Sequence, residues 1–138
     1  MITEEYKYSE LTSRVIKCAF GVHNYLGNGF QEVIYQRALA YEFCIESLSF
    51  EREIKMEIFY KELLKPIGTR RVDFLVEGKV IVELKATIQL ENVHLAQAIN
   101  YLEAFKFKVG LLINFGSKKL QFRRLMKNEE QLKRKHQN

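Results

Sequence analysis

Asp73 is the sole aspartate of the chain, and ten residues further on stands Glu83-Leu84-Lys85, a carboxylate and an ammonium two positions apart. Residues i and i+2 of an extended strand point the same way, so Glu83 and Lys85 share a side if this segment is a strand. Two carboxylates held close together are hard oxygen ligands suited to Mg²⁺ or Mn²⁺, and the cation offsets a repulsion that would otherwise raise one of their pKa values. Lys85 beside them can hold a scissile phosphate or orient an attacking water. The same spacing also describes a plain surface ion pair worth about 0–1 kcal/mol, and spacing alone leaves the two readings level.

Other groups could join such a site. His94, Gln97 and Tyr101 are spaced by three and four, one stripe of a helix. Gln97 and Tyr101 can hydrogen-bond phosphate oxygens or stack on a base, although on spacing alone an ordinary half-exposed helix face is the favoured account. His94 reads as a solvated or capping histidine. The run Gly29-Phe30-Gln31-Glu32-Val33-Ile34-Tyr35 opens another helix and puts Glu32 and Tyr35 on one face. A glutamate in a first turn is favoured by the helix dipole whatever its function, and it could equally be aimed at the acidic pair.

Elements to position these residues follow from periodicity. Ser9 can cap a helix over residues 9–26, with Leu11, Val15, Ala19, Val22 and Leu26 as its apolar stripe, and Gly27-Asn28-Gly29 stops it. A second helix spans about 31–47. From residue 51 the period becomes two, with Ile54, Met56, Ile58 and Tyr60 on one side of a strand. The segment 63–68, with the lone proline, is a loop. Strands follow at about 70–76 and 80–86, joined through Glu77-Gly78, then a helix over 92–105 with Asn92 as cap. A strand over 109–115 reads as buried on both faces, and a short one follows over 120–125.

The hairpin carries a geometric demand. Val72, Phe74, Val76, Val80, Val82 and Leu84 form one apolar face, leaving Asp73, Ile81, Glu83 and Lys85 on the other. A two-residue turn would put Asp73 and Glu83 on different faces. A three-residue loop, residues 76–78 with Gly78 left-handed, puts them together, so an odd-length loop or a bulge is expected.

Composition bounds the rest. The 138 residues, 47% hydrophobic and 28% charged, with one Pro and two Cys, describe one domain able to build a core without disulfides or a structural metal. Intrinsic disorder, collagen repeats and a secreted disulfide scaffold are excluded. Cys18 and Cys44 read as buried free thiols. The N-terminal segment has no apolar signal-like core and no run approaches a membrane span, so a cytoplasmic location is expected. The formal charge of +5 is lopsided: residues 117–138 hold eight bases and two acids, a net of +6, whereas residues 1–116 are near neutrality at −1. Residues 1–127 are expected to form the domain and 128–138 a polar basic tail.

Taken together, Gly29-x-x-Glu32-x-x-Tyr35, Asp73, Glu83-x-Lys85 and Gln97-x-x-x-Tyr101 resemble the GxxExxY proteins, a branch of the PD-(D/E)XK nuclease-like superfamily, over about residues 10–125. Val72 stands where that pattern has proline. The resemblance implies an α/β (α+β) restriction-endonuclease-like core, αβββαβ, with a mixed sheet flanked by helices, agreeing with the periodicity from residue 31 onward and adding an N-terminal helix. It implies a Mg²⁺- or Mn²⁺-dependent nuclease acting on DNA. Asp73, Glu83 and Glu32 would hold the metal, Lys85 would be the catalytic lysine, and Tyr35, Gln97 and Tyr101 would contact substrate. A non-cleaving nucleic-acid-binding or protein-interaction module on the same fold is the alternative. A homodimer is a candidate state, since so small a domain needs a second body to grip both strands of a duplex. If the tail contacts phosphates, deleting residues 128–138 should weaken nucleic-acid affinity modestly and flatten its salt dependence; an unchanged salt slope would make the tail a solubility segment.

Overall fold

Two helices precede the sheet, and their apolar stripes need a surface to cover. The computed structural model describes residues 8–127; the expected basic tail lies outside the described residues. Helix α1, Ser9–Leu26, and helix α2, Glu32–Ile45, are followed by β1, Phe50–Ile58, β2, Gly68–Val76, and β3, Val80–Lys85. Helix α3, Asn92–Ala104, then leads to β4, Val109–Asn114, and β5, Gln121–Met126. The five strands form one sheet in chain order, antiparallel except for the β3–β4 pair. A parallel pair needs a crossover, and α3 supplies it. The run α2-β1-β2-β3-α3-β4 is the expected αβββαβ core, to which α1 and β5 are added. No described helix is long and apolar enough to cross a membrane.

Each sheet face has its own core. On one, Val15, Ala19, Leu39 and Phe43 of the two N-terminal helices meet Phe74, Val82, Leu84, Leu111 and Ile113. Phe43 and Phe50 both meet the Phe74 ring edge-on, with centroids 5.1 and 5.6 Å away. On the other, Ala98 and Leu102 of α3 cover Ile81, Leu112 and Leu125. Gly110 allows that close approach: a Cβ there would lie 2.9 Å from Leu102 Cδ2 and 3.3 Å from the Ile81 carbonyl oxygen. With helices on both sides, β4 is buried at every position, as its unbroken apolar run requires.

The β2–β3 loop is odd, as parity demanded, but one residue later than expected. Val76 pairs with Val80, so the loop is Glu77-Gly78-Lys79, closed by a 3.0 Å bond from the Lys79 N–H to the Val76 carbonyl. Glu77 and Gly78 are both left-handed, at φ 54° and 65°, a conformation glycine adopts freely. The expected apolar face requires correction. Phe74 belongs to the α1/α2 core, whereas Val72 lies with Ile81 and Leu112 beneath α3. The cause is a bend: Glu53, opposite Asp73, has φ 52°, and β1–β2 pairing skips this position between Arg52–Phe74 and Ile54–Val72.

Three smaller expectations also change. Ser9 and Asn92 are the first helical residues rather than caps; Tyr8 and Glu91 precede them, and the Glu91 N–H donates to His94 Nδ1 at 3.0 Å. That bond gives His94 a capping role. Cys18 is buried, its thiol pushed up to about 11 chiefly by burial, but Cys44 is exposed because α2 turns it away from the sheet.

Beyond β4 the chain is tied by one amide. Asn114, fully buried, accepts from the N–H groups of Thr87 and Gly116 and donates to the Thr87 carbonyl and to Gln121 Oε1, which also accepts the Leu90 N–H. This joins the loop before α3 to the β4–β5 turn. Gly116 presses against that loop, and a Cβ there would run into the Thr87 backbone and the Ala86 carbonyl carbon. Gly116→Ala is therefore expected to cost about 1–3 kcal/mol, read from urea unfolding midpoints; an unchanged midpoint would contradict the contact.

Candidate active site

The β2–β3 ladder runs only from Val76–Val80 to Phe74–Val82. Beyond it β2 pairs with β1 alone, while Glu83, Leu84 and Lys85 continue to pair with β4. Side chains take over where the ladder ends. The Asp73 N–H donates to Glu83 Oε1 at 3.0 Å, and the Leu84 N–H donates to Asp73 Oδ2 at 2.8 Å. Each carboxylate thus stands in for the carbonyl that a continuing strand would have supplied, and the two acids are brought together by the divergence of their strands.

Helix α2 contributes next. Gln36, buried and one turn beyond Glu32, donates from Nε2 to Asp73 Oδ1 at 2.8 Å. Glu32 is the first residue of α2 and stands on the solvent side, within the electrostatic reach of Asp73, Lys85 and His94. Tyr35, expected to contact substrate, is instead fully buried. Its ring stacks on Phe115 at 4.7 Å, and its hydroxyl donates to the Gly27 carbonyl at 2.6 Å while accepting the Phe30 N–H at 3.2 Å. Tyr35 therefore shapes the turn that launches α2, a turn that also uses Gly29 at φ 120°, which side-chain-bearing residues rarely adopt. The glycine and the tyrosine hold the helix end from which Glu32 projects.

From the other side α3 presents Gln97, whose Oε1 accepts from Lys85 Nζ at 3.4 Å. Tyr101 follows one turn later, half-buried, facing Gln97 and the Arg70 guanidinium and lying within the field of Glu83. Asp73, Glu83, Lys85, Gln97 and Tyr101 are thus gathered at one place, with Glu32 at its rim. Gln36 and Arg70 belong there too and were not anticipated. Gln36 is four residues after Glu32, the spacing that stacks side chains on a helix, and so had a readable signal; Arg70, an odd three residues before Asp73 on the same strand, had none.

Electrostatics follow from burial. Glu83, 8% exposed, is pushed up to about 8 by desolvation and then by the charge of Asp73, with the Asp73 N–H and Lys85 opposing. Burial likewise raises Asp73, against the Leu84 N–H, Gln36 and Lys85, and partial burial raises Glu32. Among the described residues no group of three or more His, Cys, Asp or Glu side chains is placed to hold a metal ion. Glu32, expected as a third ligand, is thus not gathered with Asp73 and Glu83 into such a group, and both Asp73 oxygens and Glu83 Oε1 accept hydrogen bonds within the fold. The Asp73–Glu83 pair alone nonetheless fits a hard divalent cation in donor chemistry, being one buried and one half-buried carboxyl whose ionisation lacks full compensation.

A sheet with this strand order and with acidic residues at a strand divergence defines a nuclease-like α/β fold, and comparison with known proteins agrees. The pattern of the PD-(D/E)XK nuclease superfamily matches residues 9–125, and the chain belongs to that superfamily. The search of curated proteins returns no match. Among solved structures, the crystal structure of SSO0001 is similar in fold, with 17% identity, a TM-score of 0.55, and coverage of 97% of this chain and 67% of that one.

The raised acids set a pH dependence. Between the ordinary glutamate value of 4.5 and about 8, the folded chain keeps a proton on Glu83 that the unfolded chain has released. Stability is then highest at the acid end and falls as pH rises through this window, the same sense as for Asp73 and Glu32. Thermal melts of the metal-free protein should show Tm falling from pH 5 to 8, less steeply in Glu83→Gln, and Mg²⁺ should raise Tm more at pH 8 than at pH 5. Parallel profiles for the two proteins would refute the assignment.

Proposed function

We propose that this protein is a Mg²⁺- or Mn²⁺-dependent nuclease that hydrolyses phosphodiester bonds in DNA. The observation that carries the reading is the pairing of Asp73 and Glu83 where β2 and β3 part, with Lys85 of the same E-x-K segment beside them. Asp73 and Glu83 would hold the cation, with Glu32 at the rim able to bind a water of its hydration shell. Such a cation supplies Lewis-acid polarisation of the phosphoryl oxygen.

The chain's own groups do the rest. The Lys85 ammonium, steadied by Gln97 Oε1, supports negative charge developing on the phosphoryl group. Gln97 and Tyr101 present donors to the adjoining phosphates. The Asp73 carboxylate is kept in position by Gln36 and the Leu84 N–H, which favour its ionised form. Gly29, Glu32 and Tyr35 support a place within the GxxExxY branch, where the motif would serve to fix the end of α2. A second copy would allow both strands of a duplex to be cut together, whereas one copy suffices for a single cut.

One observation favours a second reading, that of a non-cleaving nucleic-acid-binding module: the paired carboxylates are largely occupied by hydrogen bonds within the fold. Linear, circular, single-stranded and RNA substrates incubated with Mg²⁺ or Mn²⁺ separate the two. Wild type should cleave DNA, EDTA should stop it, and Glu83→Gln and Lys85→Ala should each lower the rate by about 100-fold or more. Cleavage surviving both substitutions would overturn the proposal, and binding without cleavage would favour the second reading.

A further inference from the structure

The strand divergence leaves part of β1 and β2 as a two-stranded ribbon. From Ile54–Val72 to Ile58–Gly68 these strands pair only with each other, and the connection beyond them runs through residues 59–67. The tip is apolar and open to solvent: Phe59, Tyr60, Leu63, Leu64 and Ile67 are 54, 52, 56, 95 and 59% exposed. It is built rather than loose, with the Leu63 N–H donating to the Tyr60 carbonyl at 3.1 Å and the Ile67 N–H to the Ile58 carbonyl at 2.8 Å. Isolated exposed apolar residues are ordinary, but five within nine consecutive positions make a surface that needs an occupant.

Charge identifies the occupant. Residues 54–72 carry five bases, Lys55, Lys61, Lys65, Arg70 and Arg71, against two acids, Glu57 and Glu62. The Lys61 ammonium sits 5.2 Å from the Tyr60 ring centre, so aromatic face and cation form one contact surface. A second copy docking through the same patch would set this positive charge against itself, which disfavours self-association. Two adjacent aromatic rings flanked by cations suit a polyanion whose bases are free to stack. The ribbon also leads to the site: Arg70 is paired across the ribbon with Met56, on the side turned toward α3, and faces Tyr101.

We propose that the β1–β2 arm binds an unpaired nucleic-acid strand, stacking bases on Phe59 and Tyr60 and holding phosphates with Lys61 and Lys65, and delivers that strand along Arg70 to Lys85. The proposal rests on nucleic acid being the substrate of the site, and it deepens that reading by selecting single-stranded or frayed DNA over closed duplex.

Fluorescence anisotropy in EDTA tests it without cleavage, using a labelled single-stranded oligonucleotide and the same sequence as a blunt duplex. Phe59→Ala and Tyr60→Ala should each weaken single-strand binding about tenfold and leave duplex binding nearly unchanged. Lys61→Ala with Lys65→Ala should flatten the salt dependence by about 1.4 units of slope. All four positions are exposed, so melts matching wild type would confirm intact folding. Wild-type affinity in both aromatic variants would overturn the arm. So would a wild-type dimer that Leu64→Asp converts to monomer with oligonucleotide binding unchanged, because the tip would then be an interface between copies. If Lys85→Ala stops cleavage while the aromatic variants bind normally, the nuclease reading stands and the arm falls. If nothing is cleaved yet the aromatic variants lose binding, the arm stands and the nuclease reading falls.

Discussion

The exchange of backbone for side-chain acceptors between β2 and β3 is the constraint on which the rest of the molecule depends. A buried N–H must find a partner, and at Asp73 and Leu84 the partner is a carboxyl group from the opposite strand. This arrangement lets two strands separate inside a sheet without leaving their backbone groups unsatisfied. It also forces two acids into one poorly hydrated space, where each ionisation is opposed by burial and Glu83 is opposed further by Asp73. Sheet geometry and site chemistry are therefore the same set of atoms. A residue that removed the charge while keeping an acceptor oxygen would change the chemistry and preserve the strand divergence, which is why glutamine is the informative replacement at Glu83.

Around that centre the helices have distinct tasks. Helix α2 is fixed at its start by the Tyr35 hydroxyl and along its length by Leu39 and Phe43, so Glu32 and Gln36 meet the acidic pair from a rigid support. Helix α3 reaches the site from the opposite face because Gly110 lets it lie close, bringing Gln97 to Lys85. The family motif thus divides its labour. Glu32 lies within the electrostatic reach of Asp73, whereas Gly29 and Tyr35 hold the frame of the turn before α2.

Much of this was legible in the sequence. Periodicity located three helices and five strands because each has a face or a run that only one element type can bury. Parity alone required an odd β2–β3 loop, since no even turn could put Asp73 and Glu83 together. The apolar face failed at Val72 because the left-handed conformation of Glu53 leaves no trace in a hydrophobic pattern. Tyr35 was misplaced because sharing a helical face with Glu32 does not reveal which of two neighbouring residues turns inward. Burial settled that in favour of a core stacked on Phe115, and the adjoining Gln36 became the residue at the site. Arg70 was missed because its relation to Tyr101 depends on the bend in the ribbon.

Glu53 also gives the molecule a mechanical character. On one side of it the sheet is sandwiched between helices and cross-tied through Asn114, so it can yield little. On the other, the ribbon is held by a single ladder and a small apolar contact under α3. The left-handed residue lies on the seam between a stiff body and a compliant limb, directly across from Asp73. The arm and the acidic pair are thus joined through one step of the β1–β2 ladder, the position at which left-handed Glu53 stands across from Asp73 and the pairing lapses.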